Sequence, residues 1–100
     1  MTRQDILYLI SETPGAHGIF DDPTEKERKV YCTVRSVGYN EFYRAKENGI
    51  TPVFVFTLPD VAEYKQEKIC KYNGIRYRIV RTYVDRQRIE LTVEEATIDA

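Results

Sequence analysis

Along most of this chain apolar residues alternate with polar ones, a period of two that marks strands. Arg88 to Glu94 shows the pattern most cleanly, with Ile89, Leu91 and Val93 on one face and Arg88, Glu90 and Glu94 on the other. Lys29 to Val37 repeats it: Val30, Cys32 and Val34 oppose Lys29, Tyr31, Thr33 and Arg35. Thr51 to Leu58 is apolar nearly throughout, as in a strand covered on both faces. Pro52 is tolerated at its start, where no ladder donor is required. Asn73-Gly74 joins Glu67–Tyr72 to Ile75–Tyr83 and predicts a two-residue turn, because both residues accept the positive φ of a type I′ hairpin. In the outgoing strand Ile75, Tyr77 and Ile79 share a face, after which the apolar set moves to Val80 and Val84. That phase change predicts a bulge where a sheet curls into a barrel.

One helix is expected at about residues 40–48. Asn40 is the expected N-cap, Glu41 favours the positive end of the dipole, and Gly49 is placed for a left-handed C-terminal cap. Phe42, Ala45 and the stem of Lys46 give it an apolar stripe, and two turns need a sheet to pack on. Asp5–Ser11 reads as a strand, with a short helix as the alternative. About residues 11–28, with Pro14-Gly15, His17-Gly18 and Asp21-Asp22-Pro23, read as a long loop. The expected fold is a single mainly β domain over residues 1–100. It is a small antiparallel β-barrel of about five to six strands, with one short helix between strands.

Composition narrows the chemistry. The 100 residues are 42% hydrophobic, enough for one core, and 31% charged with a formal net charge of −1, so nothing draws the whole chain to a polyanion. No apolar run approaches a membrane span, and Met1-Thr2-Arg3-Gln4-Asp5 makes a poor signal peptide. Two cysteines, Cys32 and Cys70, and one histidine cannot build a cysteine-rich zinc site, and the cysteines read as reduced and buried. His17 has no serine, cysteine or carboxylate at triad spacing, and Asp21-Asp22-Pro23 is turn chemistry, not an EF-hand loop. No phosphate-cradling glycine motif occurs. The expectation is a non-enzyme with no cofactor and no metal. An enzyme reading would need a site around His17 and Asp21.

Charge distribution says more than its total. Arg76, Arg78, Arg81, Arg86 and Arg88 cluster with only Asp85 among them, which leaves the rest of the chain acidic. Eight tyrosines and no tryptophan suit half-buried strand faces and interfaces. A basic strand pair beside tyrosines is an electrostatic footprint for nucleic acid, as on an OB-like single-strand-binding module. The alternative is pairing of these arginines with Glu63, Glu67, Glu90, Glu94 or Glu95, or with a neighbouring subunit.

Several segments, read in order, resemble one family: Val30–Val37, Asn40–Ala45, Gly49-Ile50-Thr51-Pro52 followed by Val55-Phe56, Tyr64 with Glu67-Lys68, Tyr72–Tyr77 running into Arg81-Thr82-Tyr83, and Ile89–Thr92. The order is similar to that of the head–tail connector (head-closure, or head–tail joining) proteins of tailed double-stranded DNA bacteriophages and prophages. The resemblance implies a β-barrel whose copies form a ring, twelvefold to match the portal, on the portal and its adaptor. It implies tail proteins as further partners, transient contact with packaged double-stranded DNA, no membrane, and a virion location after assembly in the host cytoplasm. Arg35, Ser36, Val37, Gly38 and Tyr39 correspond to the family's channel-side loop. Arg76, Arg78, Arg81, Arg86 and Arg88 are the candidate contacts with subunits or DNA.

Overall fold

The structure, a computed structural model, describes residues 4–13 and 24–96. Six strands form a closed barrel: β1 (Gln4–Thr13), β2 (Thr24–Ser36), β3 (Pro52–Leu58), β4 (Ile69–Tyr72), β5 (Ile75–Asp85) and β6 (Arg88–Glu95). Helix α1 (Tyr39–Glu47) joins β2 to β3, and a 3₁₀ turn, Val61–Glu63, lies between β3 and β4. Around the barrel the order is β1-β2-β3-β6-β5-β4, with β4 closing back on β1 and every pair antiparallel.

The alternation read from the sequence is the inside–outside pattern of this wall. Leu7 and Leu9, Val30 and Cys32, Phe56 and Leu58, Cys70, Tyr77, and Ile89, Leu91 and Val93 form one buried cluster. The phase change after Ile79 is a bulge between Ile79 and Arg81, and a second bulge lies between Pro52 and Phe54. Tyr72 and Ile75 pair across the Asn73-Gly74 turn, whose φ angles are +53° and +80°. β3 is covered on both faces as expected: Phe56 and Leu58 point inward, while α1 packs on the outside where Ala45 and Val55 are buried. Val84, expected to be apolar-facing, is 53% exposed, because it lies beyond the stretch of β5 that β4 covers.

Two expectations need correction. The helix starts one residue early: Gly38 is the N-cap and accepts from the Phe42 amide at 2.9 Å, so Asn40 lies inside the helix and caps nothing. The C-terminus follows expectation, since the Gly49 amide bonds the Lys46 carbonyl and the Ile50 amide the Ala45 carbonyl, with Gly49 at φ +80°. The loop at about residues 11–28 is also shorter than expected. β1 and β2 pair out to Thr13↔Thr24, because ladder bonding satisfies the backbone even where the side chains are polar and do not alternate. His17, Asp21 and Asp22 lie outside the described residues.

Candidate functional site

The expected channel-side loop is mostly not a loop. Ser36 pairs with Phe54, so Arg35 and Ser36 end β2, Tyr39 opens α1, and only Val37 and Gly38 connect them. Arg35 is tied to the surface: it donates to Glu41 at 3.0 and 3.4 Å and lies 3.6 Å from Glu90. The hydrogen bonds from Arg35 hold the Glu41 carboxyl below its ordinary range.

The arginine cluster divides into two groups. Arg78 donates to Glu94 through Nε at 3.1 Å and a terminal nitrogen at 2.6 Å. Glu94 also accepts from the Thr51 amide at 3.1 Å, the first cause of its lowered pKa. Arg76 sits across from Lys71 on the outer face. Arg81, Arg86 and Arg88 are exposed and make no ion pair with a described residue. Arg86 heads the β5–β6 turn at φ +59°, an unusual conformation for a side chain of this size. With Pro59, Asp85, Gln87 and Arg88 it lines an open cleft of about 500 Å³.

The outer wall carries two further exposed faces that the sequence reading passed over. On α1, Tyr39 is 78% and Tyr43 51% exposed, with ring centroids 5.1 Å apart. Glu47 follows them along the same helical stripe and is exposed. On β2-β1-β4-β5 one rung aligns Lys29↔Tyr8↔Lys71↔Arg76, all outward. Lys29 Nζ stands 5.5 Å from the Tyr31 ring centre, and Lys71 Nζ 5.9 Å from that of Tyr8. Lys71 also pairs with Glu27 at 2.8 Å. α1 lies over β3, and β4 stands three strands from β3 in either direction, so Lys71 is on the wall opposite α1, while Lys29 on β2 lies one strand from β3. The Tyr39-x₃-Tyr43 spacing was a readable signal for the first face. The second needed the strand pairing, which brings together residues 63 positions apart.

Inside the barrel the chemistry is quiet. Burial pushes the Cys32 thiol up to about 12, helped by Asp5, and the Cys70 thiol up to about 12, helped by Cys32, so neither is a ready nucleophile. Among the described residues no group of three or more His, Cys, Asp or Glu is placed to hold a metal. No described helix is long and apolar enough to cross a membrane. No protein-family model matches the chain, and no curated protein matches it.

Proposed function

We propose that the protein is a structural virion subunit that forms a ring at the portal vertex, joining phage head to tail and helping to retain packaged DNA. One observation supports this reading beyond the ordered segments that resemble the connector family. Two chemically different faces, an aromatic one on the helix over β3 and a basic one centred on β1 and β4, stand apart on the outside of the same barrel. A ring of identical copies needs such a heterologous pair, because each subunit offers one face forward and another back. The Tyr39–Tyr43 rings with Glu47 suit the Lys29–Lys71 wall of a neighbour, through cation–π and charge contacts that orient the copies.

Arg81, Arg86 and Arg88 form a basic prong suited to a partner of the ring or to the phosphates of passing DNA. Near-neutral net charge suits a channel that must not hold DNA tightly. Of the short Arg35–Tyr39 segment, Val37 and Gly38 are the part left for the channel side, since Arg35 pairs with Glu41 and Tyr39 belongs to the contact between copies. Such a subunit acts by assembling and needs no cofactor. It would be built in the host cytoplasm and remain at the head–tail interface, with tail proteins docking on the completed ring.

The test uses paired variants on portal–adaptor complexes. Tyr39→Ala/Tyr43→Ala and Lys29→Glu/Lys71→Glu each spoil one face, so neither completes a ring alone. Their equimolar mixture stops at two copies through the one intact contact. Full rings from either variant overturn the head-to-tail assignment.

A second reading, an OB-like single-stranded nucleic-acid-binding module, is favoured by the lysine–tyrosine pairs on the β1–β2–β4 wall. Salt-dependent binding of an oligonucleotide by the monomer, lost in Lys29→Ala/Tyr31→Ala, would select it. Arg78 is a poorer probe, since Glu94 already holds it.

A further inference from the structure

Among the described residues, one edge of β5 is bare beyond Ile79. β4 pairs with β5 only from Ile75 to Arg78, and the last bond on that edge runs from the Ile79 amide to the Lys68 carbonyl at 2.8 Å. On the opposite edge the ladder to β6 continues to Asp85↔Arg88. The two-residue Arg86-Gln87 turn makes Asp85 and Arg88 a hydrogen-bonded pair, and antiparallel pairs alternate. The N–H and C=O groups of Thr82 and Val84 therefore point away from β6, and no described residue bonds them from the other side. Every residue from Arg81 to Asp85 is exposed, including Tyr83 at 61% and Val84 at 53%. The stretch Val80–Asp85 holds no proline or lysine; a bulge stands at its start and its two charges, Arg81 and Asp85, are of opposite sign.

The order of residues on this edge says what fits it. Two copies laid antiparallel with Tyr83 opposite Tyr83 place Arg81 of each across from Asp85 of the other, on the same outer face. Neither Arg81 nor Asp85 has an ion-pair partner within 4 Å among the described residues, although Arg81 lies near enough to Glu41 to favour its charged form. In that register Thr82 faces Val84 of the second copy, and these are the residues whose backbone groups are free to exchange bonds. Centring the pair on Thr82 or Val84 also satisfies the bonding alternation, but it sets Arg81 against Tyr83 or Gln87. Only the Tyr83-centred register opposes unlike charges twice.

We propose that a second copy of this chain docks on the β5 edge, antiparallel and centred on Tyr83, giving a two-fold dimer through a shared sheet. A two-fold contact closes at two copies, so it belongs to the free protein. It uses neither the Tyr39–Tyr43 face nor the Lys29–Lys71 wall, and it shares only Arg81 with the ring reading. The contact is short, well under the roughly 1,000 Å² of a stable interface, so the dimer dissociates on dilution.

Sedimentation equilibrium of the full chain, up to millimolar concentration, tests this with three variants. Val84→Pro removes an amide that β6 does not use, so the fold persists by circular dichroism while association weakens at least about tenfold. Asp85→Arg, which sets arginine against arginine, weakens it similarly. The swap Arg81→Asp/Asp85→Arg restores opposite charges and returns association to within about threefold of the parent. A parent chain that stays monomeric, Val84→Pro that dimerises like the parent, or a folded swap that does not recover would each overturn the proposal. Val84→Pro changes no residue assigned to the ring or to DNA, so ring formation on portal complexes would persist in it whether or not the free protein dimerises.

Discussion

The two ends of the barrel are closed by different physics. At the Asn73-Gly74 end, Phe54, Phe56, Tyr72 and Tyr77 interlock, with ring centroids 5.1 to 6.3 Å apart. At the opposite end the segment before β4 crosses the opening, with Val61 and Tyr64 packed on the core. There Arg28 donates at 2.6 Å to the buried Glu67, which also accepts from the Lys65 amide at 2.8 Å. The Tyr64 hydroxyl donates to the Glu67 carbonyl at 2.6 Å, and Gln66 takes φ +67° to make the bend. Aromatic closure contributes stability with little dependence on pH. Ionic closure fixes the path of a polar segment, and its stability depends on charge.

Substitutions at the two ends sharpen this contrast. Phe56 is fully buried, so Phe56→Ala costs about 3–5 kcal/mol in urea unfolding, nearly independent of pH. Arg28→Ala leaves the Glu67 carboxylate buried without its cation and costs about 3 kcal/mol at neutral pH. Burial opposes ionisation of Glu67, but the Arg28 hydrogen bond and the backbone amides outweigh it, so its pKa in the fold is lowered. A lowered folded pKa gives stability that is present above the unfolded carboxylate value and is lost as pH falls through the folded one. The gap between parent and Glu67→Gln should therefore be widest near neutrality and close in acid. A gap that widens in acid would contradict the ionic role of this end. Asn73→Ala, which forces alanine to φ +53°, costs about 1 kcal/mol at the aromatic end. Arg35→Ala, on the exposed wall, costs about 0.5 kcal/mol and loses its effect in high salt.

The aromatic end was largely legible in the sequence and the ionic end was not. Alternation in Arg88–Glu94, the Asn73-Gly74 turn and the phase slip after Ile79 are local signals, and each appears in the fold where the pattern put it. The Arg28–Glu67 pair joins residues 39 positions apart that belonged to an expected loop and to the lead-in of a strand. No local period announces such a contact, because it depends on which strands meet. The same reason hid the Lys71–Tyr8 face, whereas the pairing of Arg78 with Glu94 is one of the glutamate pairings expected for the arginine cluster. Gly38 stands as the cap two residues before the expected Asn40, because β2 ends at the Ser36↔Phe54 rung and only Val37 separates it from the cap.

The proposed assembly on a portal vertex is open to cryo-electron microscopy of the full chain mixed with portal–adaptor complexes. An added ring of density below the adaptor is expected, with α1 of each copy against the β1–β4 wall of the next. Adaptor complexes that remain bare at micromolar protein and near-physiological salt would contradict it.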